Sequence, residues 1–336
     1  MSERIAVLGA GSWGTALANH LARNGHHVTL WSFEGDVTDA VNSTHQNPRY
    51  LPGLRLEPGI TATSDVRAAV GAADVVLSVT PAQHVRRVMS DAAAGMKADV
   101  LLVSASKGIE TSSLMTMAQV LEDVVPGAAS AHASFLSGPS FALEVARGQP
   151  TAVAMASHHL DSALRAQQLF QSPAFRVYTN PDVIGVELGG ALKNVIAIAA
   201  GMATGLGLGH NALAALMTRG LAEIARLGVA LGANPLTFSG LAGMGDLILT
   251  CTGELSRNRS VGVALGQGKT IEEILGSMYM VAEGVDTTRA AQALAQRSAI
   301  EMPIVAQVHA VLFEGVTARA ALETLMLREP KPEQWR

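Results

Sequence analysis

The first half of the chain repeats one pattern. A short apolar run is followed by a turn, and then by a segment whose apolar residues recur at three- and four-residue spacing. Residues 5–8, 27–31, 73–80, 100–104, 130–136, 152–156 and 175–178 are the apolar runs and read as buried strands. Residues 13–24 carry the first helical pattern, which Gly25 stops; Pro81 ends the third run. Strands separated by helices predict an α/β fold with a parallel, doubly wound sheet. After Pro181 the texture changes. Residues 182–205 read as one long helix with Asp182 near its cap, and residues 211–231 as a second with Asn211 as cap. Further helices are expected from Ser260, Asp286, Pro303 and Thr317, with no strand among them. The expected division is a domain over 1–185 and an all-helical domain over 186–336. The spacing of Gly201 and Gly205 is that of close helix packing.

Composition narrows the class. The chain has 336 residues, 49% hydrophobic and 15% charged, enough for two packed domains and too apolar for a disordered chain. A net charge of −4 with no basic stripe argues against a nucleic-acid partner. Any anionic ligand is therefore held by local groups. A single cysteine, Cys251, forbids an internal disulfide, suits a reducing compartment and reads as a small buried thiol. The Gly-Ala-Gly turn breaks the N-terminal apolar run too early for a signal core. Residues 183–208 contain Glu187, Lys193 and several glycines, so they fall short of about 18 uninterrupted apolar residues. A cytoplasmic protein without stable membrane insertion is expected. The ten histidines show no metal-ligand spacing, and no metal is expected.

Candidate chemistry begins with Gly9-Ala10-Gly11-Ser12-Trp13-Gly14, placed between the first strand and the first helix. In a dinucleotide site Gly9 makes the tight turn, Gly11 lets the backbone approach a pyrophosphate, and Gly14 lets helix and strand pack closely. The helix start offers its free N–H groups to the phosphates. Ligands of such sheets sit beyond the carboxyl ends of the strands. Three polar loops fall there: residues 78–81, residues 104–108 with the lone cation Lys107, and residues 137–142 with Gly138 and Ser140. Lys193 lies inside the long helix, at the border of an apolar stripe, with Gly189 and Gly190 on its own face. Those glycines either make room for a ligand or admit a neighbouring helix. Asp246 follows a glycine pair. Ser256 is a good N-cap with Arg257 and Asn258 in the first turn after it, a ready phosphate site or ordinary capping. Glu283 stands at another glycine turn.

Together these blocks resemble the NAD(P)-dependent glycerol-3-phosphate dehydrogenases of bacteria. The blocks are G-A-G-S-W-G from Gly9, S-K-G from Ser106, S-G-P-S-F-A from Ser137 and G-V-E-L-G-G-A-L-K-N-V from Gly185. They continue with T-R-G-L-A-E from Thr218, G-L-A-G-M-G-D-L-I-L-T-C-T from Gly240, S-R-N-R from Ser256 and V-A-E-G from Val281. The resemblance spans nearly the whole chain, in the family's order. It implies an N-terminal Rossmann domain, a helical C-terminal domain, NAD or NADP as cofactor and a small phosphorylated substrate. The implied reaction interconverts dihydroxyacetone phosphate and sn-glycerol 3-phosphate, feeding phospholipid synthesis. A homodimer is expected from the same resemblance.

Carried over residue by residue, the family's proton donor and acceptor falls on Lys193. Substrate positions fall on Lys107, Gly138, Ser140, Lys193, Asp246, Ser256, Arg257 and Asn258. Cofactor positions fall on Ser12, Trp13, Lys107, Ala142, Arg257, Val281 and Glu283, beside Gly9, Gly11, Gly14 and Phe33. Asn194 and Thr250 resemble polar neighbours of the reacting centre. A lysine that donates and removes a proton needs a lowered pKa. Burial, Lys107 and Arg257 would lower it, and Asp246 would oppose them.

One departure concerns the cofactor. Many bacterial members carry an arginine or histidine just after the second strand, where this chain reads Trp31-Ser32-Phe33-Glu34. Glu34 lies twenty residues after Gly14, the offset of a carboxylate on a ribose diol. Arg49 is a cation in the next loop. Two other functions share parts of the pattern. One is a β-hydroxyacid or 6-phosphogluconate type dehydrogenase, which also uses a lysine beside an asparagine; the other is a non-catalytic nucleotide sensor.

Overall fold

A computed structural model describes residues 2–125, 127–276, 282–330 and 332–333. The chain opens with β1 (Arg4–Leu8), α1 (Ser12–Arg23), β2 (His27–Trp31), α2 (Gly35–Thr44), β3 (Gln46–Asn47), β4 (Leu51–Arg55) and β5 (Ile60–Thr63). It continues with α3 (Val66–Gly71), β6 (Val75–Ser78), α4 (Ala82–Ala93), β7 (Leu101–Ser104), α5 (Met117–Val124) and α6 (Ala128–Ala131). Then come β8 (Ser134–Ser137), α7 (Ala142–Ala146), β9 (Thr151–Ala156), α8 (Leu160–Phe170) and β10 (Phe175–Asn180). Eight strands form one sheet in the order β10-β9-β8-β7-β6-β1-β2-β5, and β3 and β4 pair separately.

The alternation of apolar residues decides which helices cover which face. Ile5 and Val7 pack with Leu17 and Leu21 of α1 and with Leu169 and Phe170 of α8. Ala6 and Leu8 pack on the other face with Val85 and Met89 of α4 and Val120 and Leu121 of α5. With both faces covered, the central strands β1, β6 and β7 are buried along nearly their whole length. In register, Leu8 stands beside both Trp31 and Ser78, and Ser78 beside Ser104. The carboxyl ends of β2, β1, β6 and β7 therefore form one row.

The sheet is mixed rather than parallel throughout. β9 runs antiparallel to β8, with Ser137 opposite Ala154, and β10 runs parallel to β9. A parallel return needs a crossover, normally a helix that carries the chain back along the sheet. Residues 138–150 hold only the short α7, whose neighbour is α1. The chain stays at the carboxyl edge, and β9 turns straight back. The expected strand over 130–136 is shorter for a related reason, because Ala128–Ala131 forms α6.

The second half is helical among the described residues: α9 (Val183–Gly205), α10 (His210–Ala230), α11 (Asp246–Thr252), α12 (Arg257–Gly266), α13 (Ile271–Gly276), α14 (Glu283–Arg297), α15 (Pro303–Phe313) and α16 (Ala318–Met326). Asp182 caps α9 by accepting the Gly185 N–H at 2.9 Å. Asn211 does not cap α10. That helix starts at His210, one residue earlier than expected, so the extended Gly209 holds the cap position and Asn211 lies in the first turn. By length and composition α9 could cross a membrane, with a mean hydropathy of 1.6, yet 89% of its most apolar stretch is buried in the protein. It is the axis around which α10, α11, α12 and α14 pack. Its Glu187 carboxyl accepts the Ala118 N–H of α5 at 2.9 Å and is pushed up to about 7 by burial.

Contact between α9 and α12 is made by glycines. A Cβ on Gly201 would lie 2.1 Å from the Arg259 carbonyl oxygen, and one on Gly262 would lie 2.0 Å from the Ile198 carbonyl oxygen. Neither obstacle is a flexible side chain, so the backbones themselves would have to part. Gly262→Ala should therefore cost at least about 2 kcal/mol of unfolding free energy, within the range for overpacked cores. Urea denaturation measures it; a loss under about 0.5 kcal/mol would refute the close packing of these two helices.

Candidate active site

The glycine turn has the shape a dinucleotide needs. Gly9 has φ +125°, and Gly14 comes so near that a Cβ there would lie 1.8 Å from the Gly9 carbonyl oxygen. Gly11 has no neighbour within 4 Å of its Cβ position, so the backbone is open to an approaching group. No side chain caps α1, so no capping side chain competes with an anion at its start. Trp13 Nε1 is buried without a hydrogen-bond partner. These features fit a pyrophosphate bound at the start of α1.

A second segment straps this turn. Asn47 Nδ2 donates to the Ala10 carbonyl and to Thr15 Oγ1, both at 2.8 Å, and Asn47 Oδ1 accepts the Tyr50 N–H at 3.1 Å. Ser12 Oγ donates to the Tyr50 carbonyl at 2.5 Å. Trp13 and Ala142 pack around one small cluster of Ala16, Leu51 and Ala146. Phe33 is exposed after β2, with the Arg87 guanidinium 5.6 Å from its ring centroid. Arg49 lies over the Tyr50 ring and 3.5 Å from Asp36.

The sheet's carboxyl edge meets the helical half through one buried carboxylate. Lys107 follows β7, and its Nζ is 2.7 Å from Asp246 Oδ2. Lys193 of α9 places its Nζ 2.8 Å from the other oxygen, Oδ1. Lys193 also donates to Thr250 Oγ1 at 2.7 Å, and that hydroxyl in turn donates to the Asp246 carbonyl at 2.6 Å. Lys107 donates as well to the Gly138 carbonyl at 3.3 Å. Lys193 is 6% exposed and Asp246 1%.

Two ammonium groups on one carboxylate leave the cluster net positive, which suits an anion. Burial pushes Lys193 below the usual lysine range; Lys107 adds to this and Asp246 opposes it. Burial alone would raise the Asp246 carboxyl, but Lys107 and Lys193 together hold it below its usual range.

Local folding explains why Asp246 can be shared. It is the first residue of α11 and follows the π-helical turn Leu241–Gly245, so it is part of a continuous helical run rather than of a tight turn. Thr250 is one turn along the same helix. Gly189 and Gly190 of α9 admit the chain itself, which decides their reading against a ligand. A Cβ on Gly189 would lie 2.5 Å from the Ala242 carbonyl oxygen of the π turn, and one on Gly190 would lie 2.5 Å from Ser137 Oγ.

The remaining predicted residues fall around this cluster in two groups. Gly138 has φ +145° against Val153, and Ser140 Oγ donates to its carbonyl at 2.9 Å. Ser256 caps α12 by accepting the Arg259 N–H at 3.2 Å, Arg257 is exposed in that first turn, and Asn258 Oδ1 accepts the Gly284 N–H at 3.0 Å. Glu283 opens α14 instead of standing in a turn. Burial pushes its carboxyl up, against the charges of Arg257, Lys107 and Lys193. Asn194 is buried beside Lys193, and Cys251 is buried too. Val281 lies outside the described residues. Among the described residues no group of three His, Cys, Asp or Glu could hold a metal ion. Asn47 and Tyr50 were not legible as site residues. Their only sequence signal is a polar loop after α2, and their partners lie 16 to 38 residues away.

Comparison with known proteins gives one consistent answer. A family model for the N-terminus of NAD-dependent glycerol-3-phosphate dehydrogenase matches residues 4–163, and one for its C-terminus matches residues 182–323. A glycerol-3-phosphate dehydrogenase (NAD(P)+) of Geobacter metallireducens is 55% identical over 334 residues, 99% of this chain and 100% of the relative. A crystal structure of glycerol-3-phosphate dehydrogenase from Coxiella burnetii superposes with a TM-score of 0.93 at 40% identity, covering 97% of this chain and 99% of that one. The enzyme from Saccharomyces cerevisiae superposes with a TM-score of 0.81 at 27% identity, covering 97% and 99%. With both halves matched in order and a glycine turn that fits a dinucleotide, the chain belongs to the NAD-dependent glycerol-3-phosphate dehydrogenase family.

Proposed function

We propose that this protein is an NAD(P)-dependent sn-glycerol-3-phosphate dehydrogenase that reduces dihydroxyacetone phosphate to sn-glycerol 3-phosphate for glycerophospholipid synthesis. The observation that carries this reading is the shared carboxylate. Asp246 joins Lys193, on the helical half, to Lys107, at the sheet edge where such folds bind their ligands. A nucleotide sensor needs no buried amine of lowered pKa, and the family match disfavours a β-hydroxyacid dehydrogenase. The enzyme works in the reducing cytoplasm, in keeping with a single buried cysteine.

Reduced nicotinamide, when bound, supplies a hydride to the ketone carbon. The residues of this chain manage the charge and the proton that this creates. Lys193 as an ammonium stabilises the developing negative charge on the ketone oxygen and donates its proton there. In the reverse direction neutral Lys193 removes the hydroxyl proton. Asp246 and Thr250 fix the direction of the amine, and burial, with a smaller push from Lys107, keeps its pKa low. Arg257 and the N–H groups at the start of α12, with Asn258, hold the substrate phosphate and so fix the carbonyl in place. Gly138 and Ser140, on the loop after β8, close the substrate side, and Glu283 faces Arg257.

Three outcomes test the assignment. Lys193→Ala should keep cofactor binding and lose turnover by more than about a thousandfold, at the level of a lost acid and its charge stabilisation; turnover within about tenfold of wild type, roughly 1.4 kcal/mol of barrier, would end the assignment. Arg257→Ala should mainly raise KM for dihydroxyacetone phosphate, and an unchanged KM in steady-state kinetics refutes the phosphate role. For glycerol 3-phosphate oxidation the active amine is neutral, so kcat/KM rises with pH through the Lys193 titration. Asp246 holds that proton on. Asp246→Asn should therefore move the rising limb to lower pH, and a limb that stays in place or moves up contradicts the pairing.

A further inference from the structure

Glu34 is the first carboxylate beyond β2, and it is not loose. Its backbone position is set by the sheet: the Gly9 N–H donates to the Trp31 carbonyl at 3.1 Å, so the end of β2 sits against the glycine turn. Its carboxylate is held from two sides. Tyr50 Oη donates to Oε1 at 2.6 Å, and Ser32 Oγ donates to Oε2 at 3.2 Å. Ser32 is fully buried, and its hydroxyl also accepts the Glu34 N–H at 3.3 Å. Tyr50 is anchored in turn to the glycine turn through Ser12 Oγ and Asn47. A carboxylate has about four acceptor sites, so one lone pair on each oxygen is still open after these two bonds.

An acceptor pair fixed in this place fits a vicinal diol and repels a phosphate. The geometry points to a cofactor gate: Glu34, positioned by Tyr50 and Ser32, takes the adenosine ribose hydroxyls and makes this enzyme select NAD(H) over NADP(H). The selection rests on the dehydrogenase reading above. Two cations stand nearby, and neither cancels the carboxylate. Arg49 is engaged by Asp36, and Arg87 lies over the Phe33 ring. Both remain when the Glu34 charge is removed, so a neutral residue there opens the site to a 2′-phosphate.

Isothermal titration of the substrate-free protein with NADH and with NADPH reads this without turnover. Wild type should bind NADH at least about tenfold more tightly, near 1.4 kcal/mol. Glu34→Gln should bring the two dissociation constants within about threefold, mostly by strengthening NADPH. Tyr50→Phe should weaken NADH severalfold, leave NADPH unchanged and keep the thermal midpoint, a pattern that general destabilisation does not give. Equal affinities or an NADPH preference in wild type, or an unchanged ratio in Glu34→Gln, overturns the gate. If both cofactors bind equally and the ketone phosphate is still reduced, only the gate falls; if neither binds, the dehydrogenase reading falls with it.

Discussion

The site depends on one carboxylate that serves two lysines. Asp246 is buried, and a buried charge is tolerated only when it is paired and hydrogen-bonded. Here the pairing has a consequence beyond satisfaction. Lys107 comes from the loop after β7 and Lys193 from the middle of α9, so the same ion cluster joins the nucleotide half to the helical half. Remove the carboxylate and two ammonium groups face each other in a low-dielectric site. Keep it, and the surplus positive charge sits where a phosphorylated ketone would be drawn in.

The cluster has its geometry because the helices around it cannot slide. Glycines at 201, 205, 262 and 266 bring α9 and α12 into backbone contact, which ties the start of α12, with Arg257 and Asn258, to the helix that carries Lys193. The π-helical turn packs its Ala242 carbonyl against Gly189 and delivers Asp246 at the first position of α11. Small residues on α9 thus act as spacers, and the polar residues near them get fixed distances. Even the dryness of the site follows, since α9 is buried along nearly its whole length and burial is what lowers the Lys193 pKa.

Much of this was legible in the sequence, for physical reasons that also set the limit. Central strands covered on both faces leave uninterrupted apolar runs, and β2, β9 and the edge strand β10 keep several buried apolar positions, so all six could be read within a residue or two at most ends. The glycine turn, the Asp182 and Ser256 caps and the Gly201–Gly205 spacing are local signals, and each is found as read. The antiparallel return of β9 was not legible, because direction depends on where a connection packs and not on the strand's own residues. Nor was the purpose of Gly189 and Gly190, which face Ala242 and Ser137 from distant parts of the chain. Residues 35–63 likewise carry no local signal of their fold. Their strands are short and partly exposed, and the bond from Tyr50 to Glu34 crosses 16 positions with no periodic pattern to announce it.

The most direct test of the central claim is a double-mutant cycle on kcat for dihydroxyacetone phosphate reduction, combining Lys193→Ala with Asp246→Asn. If the carboxylate acts through the amine it holds, the double variant should lose little more than Lys193→Ala alone, within about threefold. Losses that multiply would mean that the two residues serve the reaction independently, and the shared carboxylate would no longer explain the site.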